Sequence, residues 1–396
     1  MRSFFYKYTI NVLKGFVMIM KKNVYIFYVL AFLQGLVFYS SIATLYRTSH
    51  NLSLYEMGII ESCFYIFVIV FEIPWGMLCD RIGYKKTMLI ANTFYFVSKI
   101  VFWKANGFGM FLLERLLLAL AVSGLSGCDM SLLYLSTDKE KSTAVFGKNA
   151  MFGVIGMVVA SLMFTFVFKS NMELAAFATI FPFVLNFVLT FFLQDYPVDK
   201  QEKMEFKSIF KFFKSNKTML YVLMASVLLT ETAHTLTIFY NQLQYERVNI
   251  PIAYYGIIFV GLQLLGTTSG LLGKLTEKYS KEKIASTLFL MGAVCSLGLY
   301  YSNDIVSTII YLMILTCANV MYVPILSTIE NENVTESNRA TILSFYSLTM
   351  SLGSIIMSYI FGVVVSHSLL SAYLMSCICC LLGFVLFSLW KRGTNN

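Results

Sequence analysis

Residues 76–86 read "GMLCDRIGYKK" and residues 273–283 read "GKLTEKYSKEK". The second stretch lies 197 residues after the first, close to half of a 396-residue chain, and the match is chemical as well as positional. Gly76 meets Gly273, Leu78 meets Leu275, Asp80 meets Glu277, Arg81 meets Lys278 and Lys86 meets Lys283. The same offset lays Gly156 of "MFGVIG" on Gly353 of "TMSLG". Two sites that share one offset identify an internal repeat of half the chain.

What is repeated follows from composition. The chain is 58% hydrophobic and 13% charged, with a mean hydropathy of +0.72, which is too much apolar surface for one water-soluble core. Twelve segments are long enough to cross roughly 30 Å of hydrocarbon as helices rising 1.5 Å per residue. They fall at 23–46, 54–78, 87–106, 108–135, 144–168, 172–194, 218–243, 252–274, 284–302, 304–328, 340–364 and 368–390. Six spans per half bring the second half in on the same side as the first, so the repeat is parallel. The expected fold is an all-α membrane protein of two six-helix bundles.

Lysine and arginine orient it. With the N-terminus inside, 24 of 30 basic residues fall in cytoplasmic segments, Arg47, Lys104, Lys169 and Arg247 fall outside, and Lys99 and Arg115 lie within spans. That asymmetry predicts a multi-pass protein of the cell membrane with both termini cytoplasmic. The net charge of +9 is accounted for by this rule and by anionic lipid, and gives no nucleic-acid footprint.

The expected divisions are a cytoplasmic segment at 1–22, bundles at 23–195 and 218–391, a linker at 196–217 and a tail at 392–396. Met18 or Met20 is an alternative start to Met1. In the linker, Phe206, Ile209, Phe210 and Phe213 keep helical spacing opposite Lys207, Lys211 and Lys214, the pattern of an amphipathic helix on the inner leaflet. All eight cysteines lie in or at the edges of spans, where packing explains them and metal ligation does not.

In "FEIPWGMLCDRIGYKK", residues 71–86, glycine, acid, base and turn glycine fall in register at a predicted cytoplasmic turn. This stretch resembles the loop between the second and third helices of the major facilitator superfamily, with Tyr84 at one usually basic position. "SGLSGCDMSLLY" (123–134) and "NRATILSFYSL" (338–348), taken with "FEIPWG", resemble a bacterial drug-efflux-like subgroup. The resemblance implies a monomeric transporter of a small molecule, in contact with membrane lipid and without a cofactor or a metal.

The motif also has a physical reading of its own. Gly76 allows a close helix approach and Gly83 supplies the freedom a tight turn needs. Asp80 is placed to meet the positive N-terminus of span eleven, beside Arg339, as a cytoplasmic gate with Arg81, Lys85 and Lys86. A purely topogenic basic loop is the alternative.

Ionisable groups at membrane depth are the best functional evidence in the chain. Glu61, Lys99, Glu114 and Arg115 share one depth near the outer face, so pairing among them is expected, with Lys99 free to snorkel. Arg115 falls where the resemblance places an arginine that tunes a neighbouring acid in proton-coupled relatives, and Glu61 is the candidate acid. Glu72 follows on the stripe of Glu61, beside Pro74, where a kink is expected.

Glu231 and His234 sit near the middle of span seven, and the 197-residue shift maps Glu231 onto Gln34. They read either as a proton-coupling pair or as a static Glu–His pair. Gln34, Asp129, Asn319 and Tyr322 join a cavity that, by the resemblance, spans one, four, seven and ten enclose. Glu61, Glu72, Asp129 and Glu231 against Arg115 make that cavity net negative, suited to neutral or cationic amphipathic substrates.

Direction stays open between proton-coupled export and uptake by symport or uniport. Span five carries Gly147, Gly153 and Gly156 but lacks the glycine–proline pair of many antiporters. An enzyme is disfavoured because His50, His234 and His367 are scattered and no phosphate loop is present. A sensor without turnover is the remaining alternative.

Overall fold

A computed structural model describes residues 22–137, 142–168, 171–196, 217–266, 275–276, 278–333 and 339–394. Residues 1–21, the linker helix of 206–214, and Gly273, Lys274 and Glu277 of the second motif copy lie outside the described residues.

Among the described residues the chain is all-α. In chain order the spanning helices are α1 (Lys22–Ser49), α2 (Leu54–Ile82), α3 (Tyr84–Lys104), α4 (Gly107–Leu135), α5 (Ser142–Phe166), α6 (Met172–Thr190) and α7 (Thr218–Phe239). They continue with α8 (Ile252–Leu264), α9 (Lys281–Tyr301), α10 (Ile305–Glu332), α11 (Arg339–His367) and α12 (Leu369–Thr394). Ten of the twelve are apolar and long enough to cross a membrane. The exceptions have plain causes. The described part of α8 is short, and α3, 21 residues long, is diluted by Lys85, Lys86, Lys99 and Lys104.

Helix starts repeat at the offset seen in the sequence. Tyr84 and Lys281, Ser142 and Arg339, and Met172 and Leu369 are each 197 residues apart. So are the N-caps of α3 and α9. Ser280 caps α9 itself by accepting the Lys283 N–H at 3.3 Å, whereas Gly83 has no side chain and relies on Asp195.

Packing divides the described residues into two compact units. One comprises those within Met1–Ser40, Phe67–Ala105 and Gly109–Gln201; the other comprises those within Ser41–Ile66, Asn106–Phe108 and Glu202–Asn396. The far ends of α1 and α2, away from the 82–83 turn, therefore pack with the C-terminal helices. In the first unit, Phe27, Trp75, Cys79, Met88 and Leu132 form a core near that turn. Asn23, fully buried, ties α1 to Ser136 at 2.9 Å and to the Gln194 carbonyl at 3.0 Å. In the second unit α7, α9, α10 and α12 enclose Leu223, Phe289, Tyr322, Phe387 and Trp390.

Glycines set the closest crossings, as expected where lipid removes most of the hydrophobic drive between helices. A methyl group at Gly35 would collide with the Gly153 carbonyl, and one at Gly156 with the Phe32 carbonyl, so α1 and α5 touch backbone to backbone. In the other unit a methyl at Gly353 would strike Val227 Cγ2 at 2.5 Å, which makes α11 and α7 the equivalent pair. Gly76 differs from expectation. Nothing lies within 4 Å of a Cβ added there among the described residues, and the close fit nearby is Gly124 on Trp75 and Ala91.

Helix continuity adds breaks that the sequence reading did not include. α2 runs unbroken through Pro74, while α1 breaks without a proline: its helix stops at Gly35, a 3₁₀ turn covers Ser40–Ile42, and helix resumes over Ala43–Ser49. α4 breaks at Gly127, whose φ is +76°, and α7 changes to a π-turn over Thr235–Phe239. Gly156→Leu is expected to lower stability by about 3 kcal/mol through overpacking, and Gly147→Ala, with nothing within 4 Å of the added methyl among the described residues, to raise it by about 0.5–1 kcal/mol through helix propensity. Thermal unfolding of the two variants in detergent reads this difference directly.

Candidate functional site

The breaks in α1 and α7 occupy equivalent places in the repeat, since Phe38 shifted by 197 residues is Thr235. Backbone groups released inside hydrocarbon must find partners within the protein. Pro182 interrupts α6 and leaves Thr179 at the joint, from which its hydroxyl accepts the Phe38 N–H at 3.1 Å. Beyond the break, the Thr44 and Leu45 N–H groups donate to Gln242 Oε1 at 2.9 and 3.0 Å.

The far-end site gathers around these contacts in the second unit. Arg47, read from sequence as an external residue one position past the end of the first span, is 4% exposed on the restarted helix. Its Nη1 lies 3.9 Å from Glu61 Oε1. On the same helix as Glu61, Gly58 meets α11 so closely that an added methyl would stand 2.6 Å from Gly362 Cα. One turn on, Ser62 donates to the Ile355 carbonyl at 2.9 Å. Together these contacts tie α1, α2, α11 and the short helix Asn241–Arg247 after α7 to one another at this end.

Glu231 is buried on α7 and accepts from Ser354 Oγ of α11 at 2.6 Å. His234 turns its ring edge to Phe239 at 5.3 Å, and no ion pair joins it to Glu231 among the described residues. The static Glu–His pair therefore does not form. The Ser354 partnership had no signal in the sequence, because it depends on the α7–α11 crossing at Gly353.

The charged residues grouped by depth distribute differently from expectation. Glu61 has Arg47, while Arg115 Nε is 3.7 Å from Glu114 Oε2 within the first unit. Lys99 does not snorkel. It is 4% exposed, 3.3 Å from the Tyr39 hydroxyl, with the Tyr95 and Phe183 rings 5.1 and 4.8 Å from Nζ. Aromatic faces and a hydroxyl substitute for the water it would otherwise seek.

Gln34 and Asn319 are half-buried, and Asn319 Oδ1 has no hydrogen-bond partner among the described residues. Two other cavity candidates are corrected. Tyr322 is fully buried in the C-terminal core, its hydroxyl 2.7 Å from Ser226 Oγ and its ring edge on Phe289. Asp129 lies about 30 Å along α4 from its far end, by rise per residue, in the segment Cys128–Leu135 that packs near the 82–83 turn. Its Oδ1 accepts the Met130 N–H at 2.6 Å. Glu72 is exposed. Among the described residues the buried charged side chains are Arg47 and Lys99 against Glu114 and Glu231, which balance, and Glu61 and Arg115 are half-buried.

At the turn, Asp80, Arg81 and Lys86 are exposed and Lys85 is half-buried. Gly83 adopts φ +89°, and a Cβ there would stand 2.7 Å from Asp195 Oδ2. Asp195, which the sequence reading missed, accepts the Lys85 N–H at 3.2 Å and so caps α3 from the end of α6.

Comparison with known proteins adds a family. A profile described as Major Facilitator Superfamily matches residues 24–356. Multidrug resistance protein MdtG of Escherichia coli O9:H4 (strain HS) is 22% identical over 317 residues, covering 78% of this chain and 77% of its own length. The uncharacterized MFS-type transporter YxaM of Bacillus subtilis (strain 168) is 22% identical over 392 residues, covering 94% and 96%. A crystal structure of the nucleoside transporter NupG superposes with a TM-score of 0.79 at 16% identity, covering 93% of this chain and 99% of that one.

Gly83→Ala is expected to destabilise by about 1–2 kcal/mol, because it adds left-handed strain to the Asp195 collision. Asp195→Ala alone is expected to cost about 1 kcal/mol through the lost cap. Denaturation midpoints of the two single variants and the double variant separate strain from collision: the penalty of Gly83→Ala should shrink when Asp195 is already absent.

Proposed function

The chain belongs to the Major Facilitator Superfamily and is a multi-pass, non-enzymatic membrane transporter, and from that premise we propose a proton-coupled exporter of a small neutral amphipathic molecule. It works by alternating access in the cell membrane, with both termini cytoplasmic, as a monomer.

Buried Glu231, hydrogen-bonded to Ser354 across the α7–α11 crossing, carries the proposal. A carboxylate in this setting accepts from the serine hydroxyl when ionised. When protonated it becomes a donor as well, so one proton changes what α7 asks of α11. The Arg47–Glu61 pair offers a second group of the same kind at the outer end. Balanced buried charge favours the neutral member of the neutral-or-cationic class that the sequence alone suggested. Export rests on the drug-efflux-like stretches and on the likeness to MdtG.

Uptake is the second reading. It is favoured by α5, where Gly153 and Gly156 serve the crossing with α1 and no glycine–proline pair accompanies them.

At the inner face, Asp80 acts as a latch. It is exposed, one helical turn beyond Gly76, where nothing lies within 4 Å of an added Cβ among the described residues. Gly76→Leu is therefore expected to leave thermal stability within about 0.5 kcal/mol and to slow transport several-fold. Asp80→Asn is expected to slow it likewise.

Proteoliposomes with and without an imposed pH gradient, assayed over neutral and cationic amphipathic dyes, test the function. Accumulation should follow the gradient and collapse with a protonophore, and Glu231→Gln should keep exchange of dye across the membrane while losing gradient-driven accumulation. Flux indifferent to the gradient would establish a uniporter, and no flux under any gradient a sensor. Full gradient-driven transport by Glu231→Gln would remove that residue from coupling.

A further inference from the structure

The restarted segment of α1, Ala43–Ser49, begins at Ile42, a residue with no side-chain oxygen to cap it. An N-cap side chain ordinarily accepts from the second and third N–H groups of its helix. Here those donors are Thr44 and Leu45, and both go to Gln242 Oε1, from another helix. Gln242 is 1% exposed, so no solvent stands in for it.

Gln242 faces α1 because of the π-turn that precedes it. In Thr235–Phe239 the Tyr240 N–H reaches back to the Thr235 carbonyl at 2.9 Å, and the extra residue in that turn rotates everything after it by about 100° relative to a plain α-helix. The Gln242 amide nitrogen anchors on the same turn, 3.4 Å from the Ile238 carbonyl, while its backbone N–H is taken by Asn241 Oδ1 at 2.9 Å. Two residues after Leu45 comes Arg47, whose reach to Glu61 depends on where the segment sits.

We propose that Gln242 is the positioning residue of the outer closure: by acting as the missing N-cap of Ala43–Ser49 it docks that segment on the short helix Asn241–Arg247 that follows α7 and sets Arg47 against Glu61. The inference rests on the alternating-access reading but on neither the substrate nor the direction of transport. When the outer end opens, Thr44 and Leu45 lose their shared acceptor, so closing the end and completing the helix are one event. Gln242→Met keeps bulk and removes the acceptor. Gln242→Glu keeps an acceptor at the same reach.

The test is a distance distribution between nitroxide labels at Ser49→Cys and Ser366→Cys, both exposed, in a chain with its eight native cysteines replaced, in lipid nanodiscs without substrate. The parent should show mainly the short, closed distance. Gln242→Met should raise the open-to-closed ratio about tenfold, the scale of losing two buried hydrogen bonds, with the melting temperature unchanged within a few degrees. Gln242→Glu should stay near the parent. If Gln242→Met does not fold, Gln242→Asn, one methylene short of the α1 donors, should give the same shift. An unchanged distribution in both removal variants, or equal opening by Gln242→Glu and Gln242→Met, overturns the proposal. Full gradient-driven transport by Glu231→Gln, with the parent distance distribution and its response to Gln242→Met as expected, would instead count against the Glu231 reading alone.

Discussion

A helix broken inside hydrocarbon must have its freed N–H groups answered by side chains, because lipid supplies no partner. In this protein that constraint governs α1. Its first part ends at Gly35, locked against α5 by backbone contact, and its second part starts at Ala43 under the amide of Gln242. Thr179, freed at the joint that Pro182 makes in α6, answers the Phe38 N–H in between. Each part therefore has its own set of obligations, and the packing units divide the chain at Ser40, inside the break.

The buried charges follow the same division. Lys99 lies against aromatic faces and a hydroxyl in the first unit, where Arg115 Nε stands 3.7 Å from Glu114 Oε2, beyond hydrogen-bond reach, while Arg47, Glu61 and Glu231 find partners within the second. An ionised group held this way is costly to separate from its partner. α2 carries Glu61 in one unit and Asp80 in the other on a single unbroken helix.

Much of the architecture was legible in the sequence because it rests on periodicity and repetition. The 197-residue offset read from Gly76 and Gly273 reappears in the starts of α3 and α9, α5 and α11, and α6 and α12. The details that failed depend on tertiary partners. Arg47 looked external because hydropathy ends a span at the first charge, whereas the helix continues as long as Glu61 stands opposite. Pro74 drew the eye as the place for a kink, but the break in α1 falls at residues without proline, where Thr179 and Gln242 answer the freed N–H groups. Tyr322 looked like cavity lining because its helix was assigned to the cavity, but Ser226 and Phe289 claim it for the core. Asp195 and Ser354 act through distant contacts and leave no trace at their own positions.

The cage around Lys99 bears on how the chain enters the membrane during synthesis. Tyr95 travels with Lys99 on α3 and Tyr39 has already been made on α1, but Phe183 belongs to α6 and emerges three spans later. A lone lysine at this depth opposes insertion by about 2.5–3.5 kcal/mol. α3 is also diluted by its other lysines. Its settled place in the bilayer therefore depends on α6 arriving, so the first bundle is completed as a group of helices rather than one span at a time.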